Sequence, residues 1–95
     1  MIEFTAPLFR WSGGNWFFVA LPDEAADEAR FEAAGMRGGF GSIKVIARVG
    51  ESEWRTSLFP DKSRDTFLLP MKKQVRAAEG LHEGEDVRIS LEIAY

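Results

Sequence analysis

A strand–helix–strand unit occurs twice in the chain. In each copy a short apolar strand reaches a Leu-Pro pair, a helix follows, and a glycine with one apolar residue precedes a second strand. The copies run from Phe18 to a strand at Ser42, and from Phe67 to a strand at Val87. Two strands and one helix are too small to be stable alone. The repeat therefore predicts that the two units interleave into one closed β-barrel, which also removes exposed strand edges.

The first hairpin lies in the opening segment. Residues 2–11 are rich in β-prone side chains, Ser12–Asn15 is a run of turn residues, and residues 16–21 form an unbroken apolar run of strand length. This order predicts two antiparallel strands joined between Trp11 and Trp16. Because Pro7 has no N–H to donate, we expect its strand to lie at a sheet edge or to carry a bulge.

Alternation of apolar and polar side chains marks three later strands. Residues 43–49 and 54–59 alternate on either side of the turn at Gly50–Ser52, which predicts a second hairpin. Residues 87–95 alternate most regularly, so we expect the chain to end on a strand.

Two segments have the composition of helices. Residues 23–34 are rich in alanine and glutamate, with acids in the first turn and Gly35 at the expected left-handed end. The second helix is predicted to begin at Pro70, whose fixed φ suits a first helical position, and to end at Gly80.

Composition excludes several classes of protein. At 95 residues, with 45% hydrophobic and 28% charged, the chain is predicted to be one globular domain spanning residues 1–95. It has no cysteine and one histidine, so we expect neither disulfides nor a metal site, and no motif indicates a cofactor. Without a transmembrane run or a signal-peptide pattern, we expect a cytoplasmic protein that does not contact membranes. A net charge of −3 argues against nucleic-acid binding.

The second half of the chain resembles two groups of proteins. Its strand-proline-helix-glycine pattern looks like that of AbrB, MazE and SpoVT, which are double-split β-barrels. The longer pattern is similar to the bacterial domain family DUF1905, a domain of unknown function, and is carried by Trp54–Pro60, Phe67–Lys72, Val75-Arg76 and Gly84–Val87. The resemblance implies a single-chain double-split barrel with capping helices, and it implies no activity. Some relatives carry a second, bacteriocin-protection-type domain, for which we expect no residues in this chain.

A basic cluster stands out in this acidic chain. Lys72, Lys73 and Arg76 lie at the start of the second predicted helix, and Lys62 and Arg64 lie in the loop before its strand. These cations and the helix amides are suited to a phosphate or carboxylate. The alternative is an ordinary solvated helix face.

Trp54, Arg55, Thr56 and Ser57 put aromatic, cationic and hydroxyl side chains on one predicted strand. Arg55 and Ser57 share the face opposite Trp54 and Thr56, and this polar face is a candidate ligand surface. Alternatively, Trp54 belongs to the core and Arg55 pairs across the sheet with an acid such as Glu92.

Several aromatic residues have few polar neighbours in the sequence. If Trp11, Trp16, Phe40 and Trp54 are exposed, they form a partner surface for a second copy of the chain or another protein. A strand buried on both faces explains Phe17 and Phe18 equally well.

We therefore predict an all-β, double-split barrel of about six strands with two short capping helices and a pseudo-two-fold axis. The predicted function is a non-enzymatic module, monomeric or homodimeric, that binds a small anionic ligand or an acidic protein. The alternative is an AbrB-like DNA-binding regulator. The candidate anion-binding residues are Arg55, Ser57, Lys62, Arg64, Lys72, Lys73 and Arg76.

Overall fold

A computed structural model describes residues 1–12, 14–35 and 41–94. These residues form six strands and two helices around one apolar core. The elements in chain order are β1 (Ile2–Arg10), β2 (Phe17–Ala20), α1 (Asp23–Glu32), β3 (Ile43–Val49), β4 (Ser52–Asp61), β5 (Thr66–Pro70), α2 (Lys73–Glu79) and β6 (Asp86–Ile93).

The strands close into a barrel in the order β1-β2-β5-β4-β3-β6, and every neighbouring pair is antiparallel. This order is unchanged when β1, β2 and β3 are exchanged with β4, β5 and β6. The first half of the chain therefore has the same topology as the second. The closed all-β barrel with two helices that the repeat predicted is confirmed.

The two halves meet through equivalent hydrogen bonds. The Leu21 N–H donates to the carbonyl of Phe67 at 3.0 Å, and the Met71 N–H donates to the carbonyl of Phe17 at 2.8 Å. Leu21 is thus equivalent to Met71, and Pro22 is equivalent to Lys72, since these two residues have nearly identical extended conformations at the helix N-caps. The alignment of the two Leu-Pro pairs was therefore wrong by two residues.

Buried and less buried residues alternate along β3 and β6, as the alternation of apolar and polar residues predicted. Inward-facing side chains such as Ile43, Val45, Ile89 and Leu91 are fully buried, and the residues between them are half-buried or exposed. The β1–β2 hairpin is also confirmed, since the Trp11 N–H donates to the Trp16 carbonyl at 2.8 Å.

Both prolines lie where a strand pairing ends, and the prediction that Pro70 begins the second helix was wrong. Pro7 is the last residue of β1 that pairs with β6, and β1 pairs with β2 from Leu8 onwards. Pro70 does not begin α2; it is the last residue of β5, paired with Phe18, and the helix begins at Lys73. A proline is tolerated in these places because each lies where one strand pairing ends.

The helices pack by small or single apolar residues. Ala25, Ala26 and Ala29 are buried and bring α1 close to β1 and β5, whereas α2 buries Val75. Gly80 adopts the left-handed conformation predicted for the end of α2, with a φ of +64°. Within the described residues, neither helix is long and apolar enough to cross a membrane.

Candidate functional site

A cavity of about 540 Å³ lies between β2 and the start of α2. We call it the basic cleft, because three of its lining residues are cations. It is lined by Asn15, Trp16, Phe17, Pro70, Met71, Lys72, Lys73 and Arg76.

The pairing of the two halves builds the basic cleft. The Met71 N–H bonds to the Phe17 carbonyl, so the chain leaving β5 is held against β2. Lys72 then adopts an extended conformation as the N-cap, and α2 begins at Lys73. The two lysines and Arg76 are thereby placed beside the aromatic side chains that follow the first hairpin turn.

Arg76 has a fixed position in the cleft. Its guanidinium carbon lies 3.9 Å from the centroid of the Phe17 ring, and its Nε–H donates to the Met71 carbonyl at 2.9 Å. The ring and the carbonyl hold the side chain, and the other guanidinium N–H groups have no partner among the described residues. A guanidinium held in this way is preorganised for an oxyanion.

No carboxylate within residues 1–12, 14–35 or 41–94 forms an ion pair with Lys72, Lys73 or Arg76. The first turn of α2 also contains no acid, and both lysines are exposed. In a chain of net charge −3, the basic cleft is thus a local reversal of charge. We assign no role in anion binding to the backbone amides of α2, because this helix has only seven residues.

The other half of the barrel also has an arginine over a phenylalanine ring, but that arginine is paired with an acid. Arg30 of α1 lies over the ring of Phe67, with its guanidinium carbon 5.4 Å from the centroid. It also donates to the Asp27 carboxylate at 2.8 Å and to the Asp65 carbonyl at 3.0 Å. The charge of Arg30 is therefore compensated within the protein, whereas that of Arg76 is not.

Arg55 and Ser57 lie in a separate cavity. This cavity has about 530 Å³ and also includes Lys44 and Thr56 in its lining. The alternative that Arg55 pairs with Glu92 was wrong: among the described residues Arg55 forms no ion pair, and Glu92 accepts from Arg48.

Arg48 pairs with acids on both neighbouring strands of this sheet. Its Nε–H donates to Glu53 at 2.7 Å, and its terminal nitrogens lie 3.4 Å from Glu92. The Glu53 hydrogen bond is the main cause that raises the pKa of Arg48 above its ordinary value, and Glu92 adds to it.

Lys62 and Arg64 lie in the turn between β4 and β5, and they do not line the basic cleft. Arg64 donates to the Asp61 carboxylate, and its guanidinium carbon lies 4.9 Å from the centroid of the Phe9 ring. The Ser63 hydroxyl, followed by Arg64, lowers the pKa of Asp61 below its ordinary value. The charge of Arg64 is thus compensated by Asp61, at the end of β4.

The aromatic residues of the candidate partner surface differ in their exposure. Trp11 and Trp16 are exposed, at 46% and 69%, but Trp54 is only 7% exposed. Trp54 shares the inward face of β4 with Leu58, so its assignment to a partner surface was wrong. Phe40 lies outside the described residues.

Sequence reasoning missed Asn15, Phe17 and Phe59. Phe59 is 47% exposed although it lies within β4. Its outward position follows from the alternation of β4, in which Leu58 is buried. Nothing local in the sequence indicates that Phe17 lies under Arg76, because this contact depends on the pairing of β2 with β5.

A family model described as a domain of unknown function, DUF1905, matches residues 4–91 of the chain. The match includes all six strands and both helices, apart from the ends of β1 and β6. A comparison with curated proteins found no match.

Proposed function

The chain belongs to the DUF1905 family, and since that family's description states no function, we propose one from the basic cleft: a module that binds the anionic group of a small ligand. Lys72 and Lys73 supply exposed charges in the lining of the cleft. Arg76 supplies the fixed donors. The oxyanion is a phosphate or a carboxylate, since both fit a guanidinium fork.

The observation that carries this proposal is the uncompensated charge of Arg76. A guanidinium has five N–H donors, and only the Nε–H is used within the described residues. A partly buried cation without an acid normally costs stability. An arginine kept in this state, on the wall of a cavity of about 540 Å³, is explained by an anion that occupies the cavity.

The comparison with Arg30 supports this interpretation. Both helices send an arginine over a phenylalanine of the opposite half of the barrel. If the contact served the fold alone, an acid beside Arg76 would be as useful as Asp27 is beside Arg30. The second half has lysines in this region instead.

The alternative of an AbrB-like DNA-binding regulator has less support. A protein that neutralises several phosphates needs a basic stripe, and this chain has a net charge of −3. The same test therefore includes a short duplex DNA.

The test is binding of inorganic phosphate, pyrophosphate and acetate, measured by calorimetry and by thermal unfolding. A ligand at a hundred times its Kd adds about 2.7 kcal/mol of stability. We expect the double variant Lys72→Ala, Lys73→Ala to weaken binding of the preferred anion at least about tenfold, since a hydrogen bond to a charged group contributes roughly 1.5–3 kcal/mol. Both lysines are exposed, so this variant should fold normally.

The matched control is Lys44→Ala, Arg55→Ala, which removes the same charge from the other cavity. We expect it to change the affinity less than about twofold, because the basic cleft is untouched. Equal losses in both double variants would indicate bulk electrostatics and contradict the proposal. So would the absence of binding by all three anions, or binding of duplex DNA alone.

A further inference from the structure

An apolar cavity adjoins the basic cleft. It has about 400 Å³ and is lined by Trp11, Trp16, Phe18, Phe59, Leu68 and Pro70. We call it the aromatic cleft. None of its lining residues carries a charge.

The two clefts are joined by shared residues. Trp16 and Pro70 line both, so the wall of the aromatic cleft continues into the wall of the basic cleft. The indole of Trp16 is 69% exposed, which is unusual for the largest apolar side chain. The shared wall therefore allows one ligand to occupy both cavities.

The aromatic cleft is held open by its own packing. The Trp11 ring meets Phe18 edge-on, with centroids 5.8 Å apart and planes at 73°. Phe9 packs against the same ring at 6.1 Å, and the hairpin bond from Trp11 to Trp16 fixes the turn. Among the described residues, Trp16 makes no ring contact, so its face is open for stacking.

We propose that the ligand is a small aromatic anion, such as an aryl phosphate or an aryl carboxylate. Its ring lies in the aromatic cleft against Trp16, and its anionic group lies in the basic cleft beside Arg76. This proposal rests on the proposed function and deepens it by naming the ligand class.

The charges and the sizes of the cavities favour this occupant. An apolar wall on one side and three cations on the other orient a ligand that has an apolar and an anionic end. Volumes of about 400 and 540 Å³ fall within the usual range of small-molecule sites, about 300–1,000 Å³. A purely anionic ligand would leave Trp16 exposed, whereas an aromatic anion covers it.

The test compares phenyl phosphate with methyl phosphate, which carry the same charged group. Binding is measured by calorimetry and by tryptophan fluorescence. We expect phenyl phosphate to bind roughly tenfold more tightly, because stacking on one aromatic side chain is typically sufficient for such a gain. We also expect it to change the fluorescence more than methyl phosphate does.

The decisive variant is Trp16→Leu, and the matched control is Phe31→Leu, at another exposed aromatic residue, on α1. Because Trp16 lines both clefts, Trp16→Leu should lower the affinity for phenyl phosphate more than that for methyl phosphate and so remove the preference for phenyl phosphate. Phe31→Leu should leave both affinities unchanged. A preference for phenyl phosphate that persists unchanged in Trp16→Leu would overturn the placement of the ligand ring against Trp16.

The possible failures are distinguishable. If both phosphates bind equally, the aromatic class is wrong and the anion site stands. If neither phosphate binds, and the simple anions also fail, the proposed function is wrong too. If the protein sediments as a dimer that Trp16→Leu dissociates, a second copy covers the aromatic cleft, and the proposal is overturned.

Discussion

Replacement of Gly50 by alanine tests the contact that ties α2 to the β3–β4 turn. Gly50 has a φ of +56°, and a Cβ at this position would overlap Oε1 of Glu79 at the end of α2. The other oxygen of that carboxylate, Oε2, accepts from the Ser52 hydroxyl at 2.7 Å. Alanine should therefore displace the Glu79 carboxylate and break its hydrogen bond to Ser52.

Two costs make up the expected loss of stability. The left-handed conformation costs a residue with a Cβ about 1–2 kcal/mol, and the lost hydrogen bond costs about 1 kcal/mol more. The matched control is Gly35→Ala, at a φ of +81° with nothing within 4 Å of the added carbon. It should pay the conformational cost alone, so the free energies of unfolding of the two variants should differ by about 1 kcal/mol.

The assay is reversible thermal and urea unfolding of both variants, alone and combined with Glu79→Ala. A difference of 1 kcal/mol corresponds to roughly 4–8 °C in Tm for a domain of this size. In the Glu79→Ala background, the cost of Gly50→Ala should fall to that of Gly35→Ala. An equal cost of Gly50→Ala in both backgrounds would refute the reasoning, because the clash with Glu79 would then contribute nothing.

Two further predictions concern groups outside the clefts. The pKa of Asp61 lies below its ordinary value of 3.8 because of hydrogen bonds from Ser63 and Arg64. Its charge therefore stabilises the fold above about pH 4, and this contribution is lost as the pH falls through the lowered pKa. Asp61→Asn should thus lower the free energy of unfolding more at about pH 6 than at about pH 2, and an equal loss at both pH values in urea melts would contradict this. Thr66 is 5% exposed, and its hydroxyl donates to the Leu21 carbonyl at 2.7 Å. Thr66→Val removes this donor and should lower the free energy of unfolding by about 1–2 kcal/mol. An unchanged urea midpoint would show that the hydrogen bond does not contribute to stability.

The strand pattern could be predicted because it depends on local alternation. In β6 the buried and exposed positions follow the sequence of apolar and polar residues with a period of two. The first hairpin could be predicted for a similar reason, since Ser12–Asn15 consists of turn residues between two β-prone runs.

The start of α2 could not be predicted from local preference. Proline suits both the first turn of a helix and the end of a strand. The choice is made by the pairing of Pro70 with Phe18, which extends β5, and the helix therefore starts at Lys73. The same long-range pairing explains why the equivalence of Leu21 with Met71 was missed.

The cations of the candidate site could be predicted from the sequence, but not which of the predicted residues line the same cavity. Lys72, Lys73 and Arg76 are neighbours on one helix, so their cluster is visible in the sequence. Arg55 and Arg64 are cations of the same kind, but the first lines another cavity and the second bonds to Asp61. Which cations line the same cavity is decided by the pairing of strands that are distant in the sequence.

The most direct test of the central claim is an NMR titration of the labelled protein with inorganic phosphate, which follows the Arg76 Nε–H and the backbone amides. We expect saturable shifts at Arg76, Lys72 and Lys73, because the anion enters the basic cleft. The amides of Arg55 and Ser57 should not move. Shifts centred on Arg55 and Ser57, or none at Arg76 up to saturating phosphate, would contradict the account.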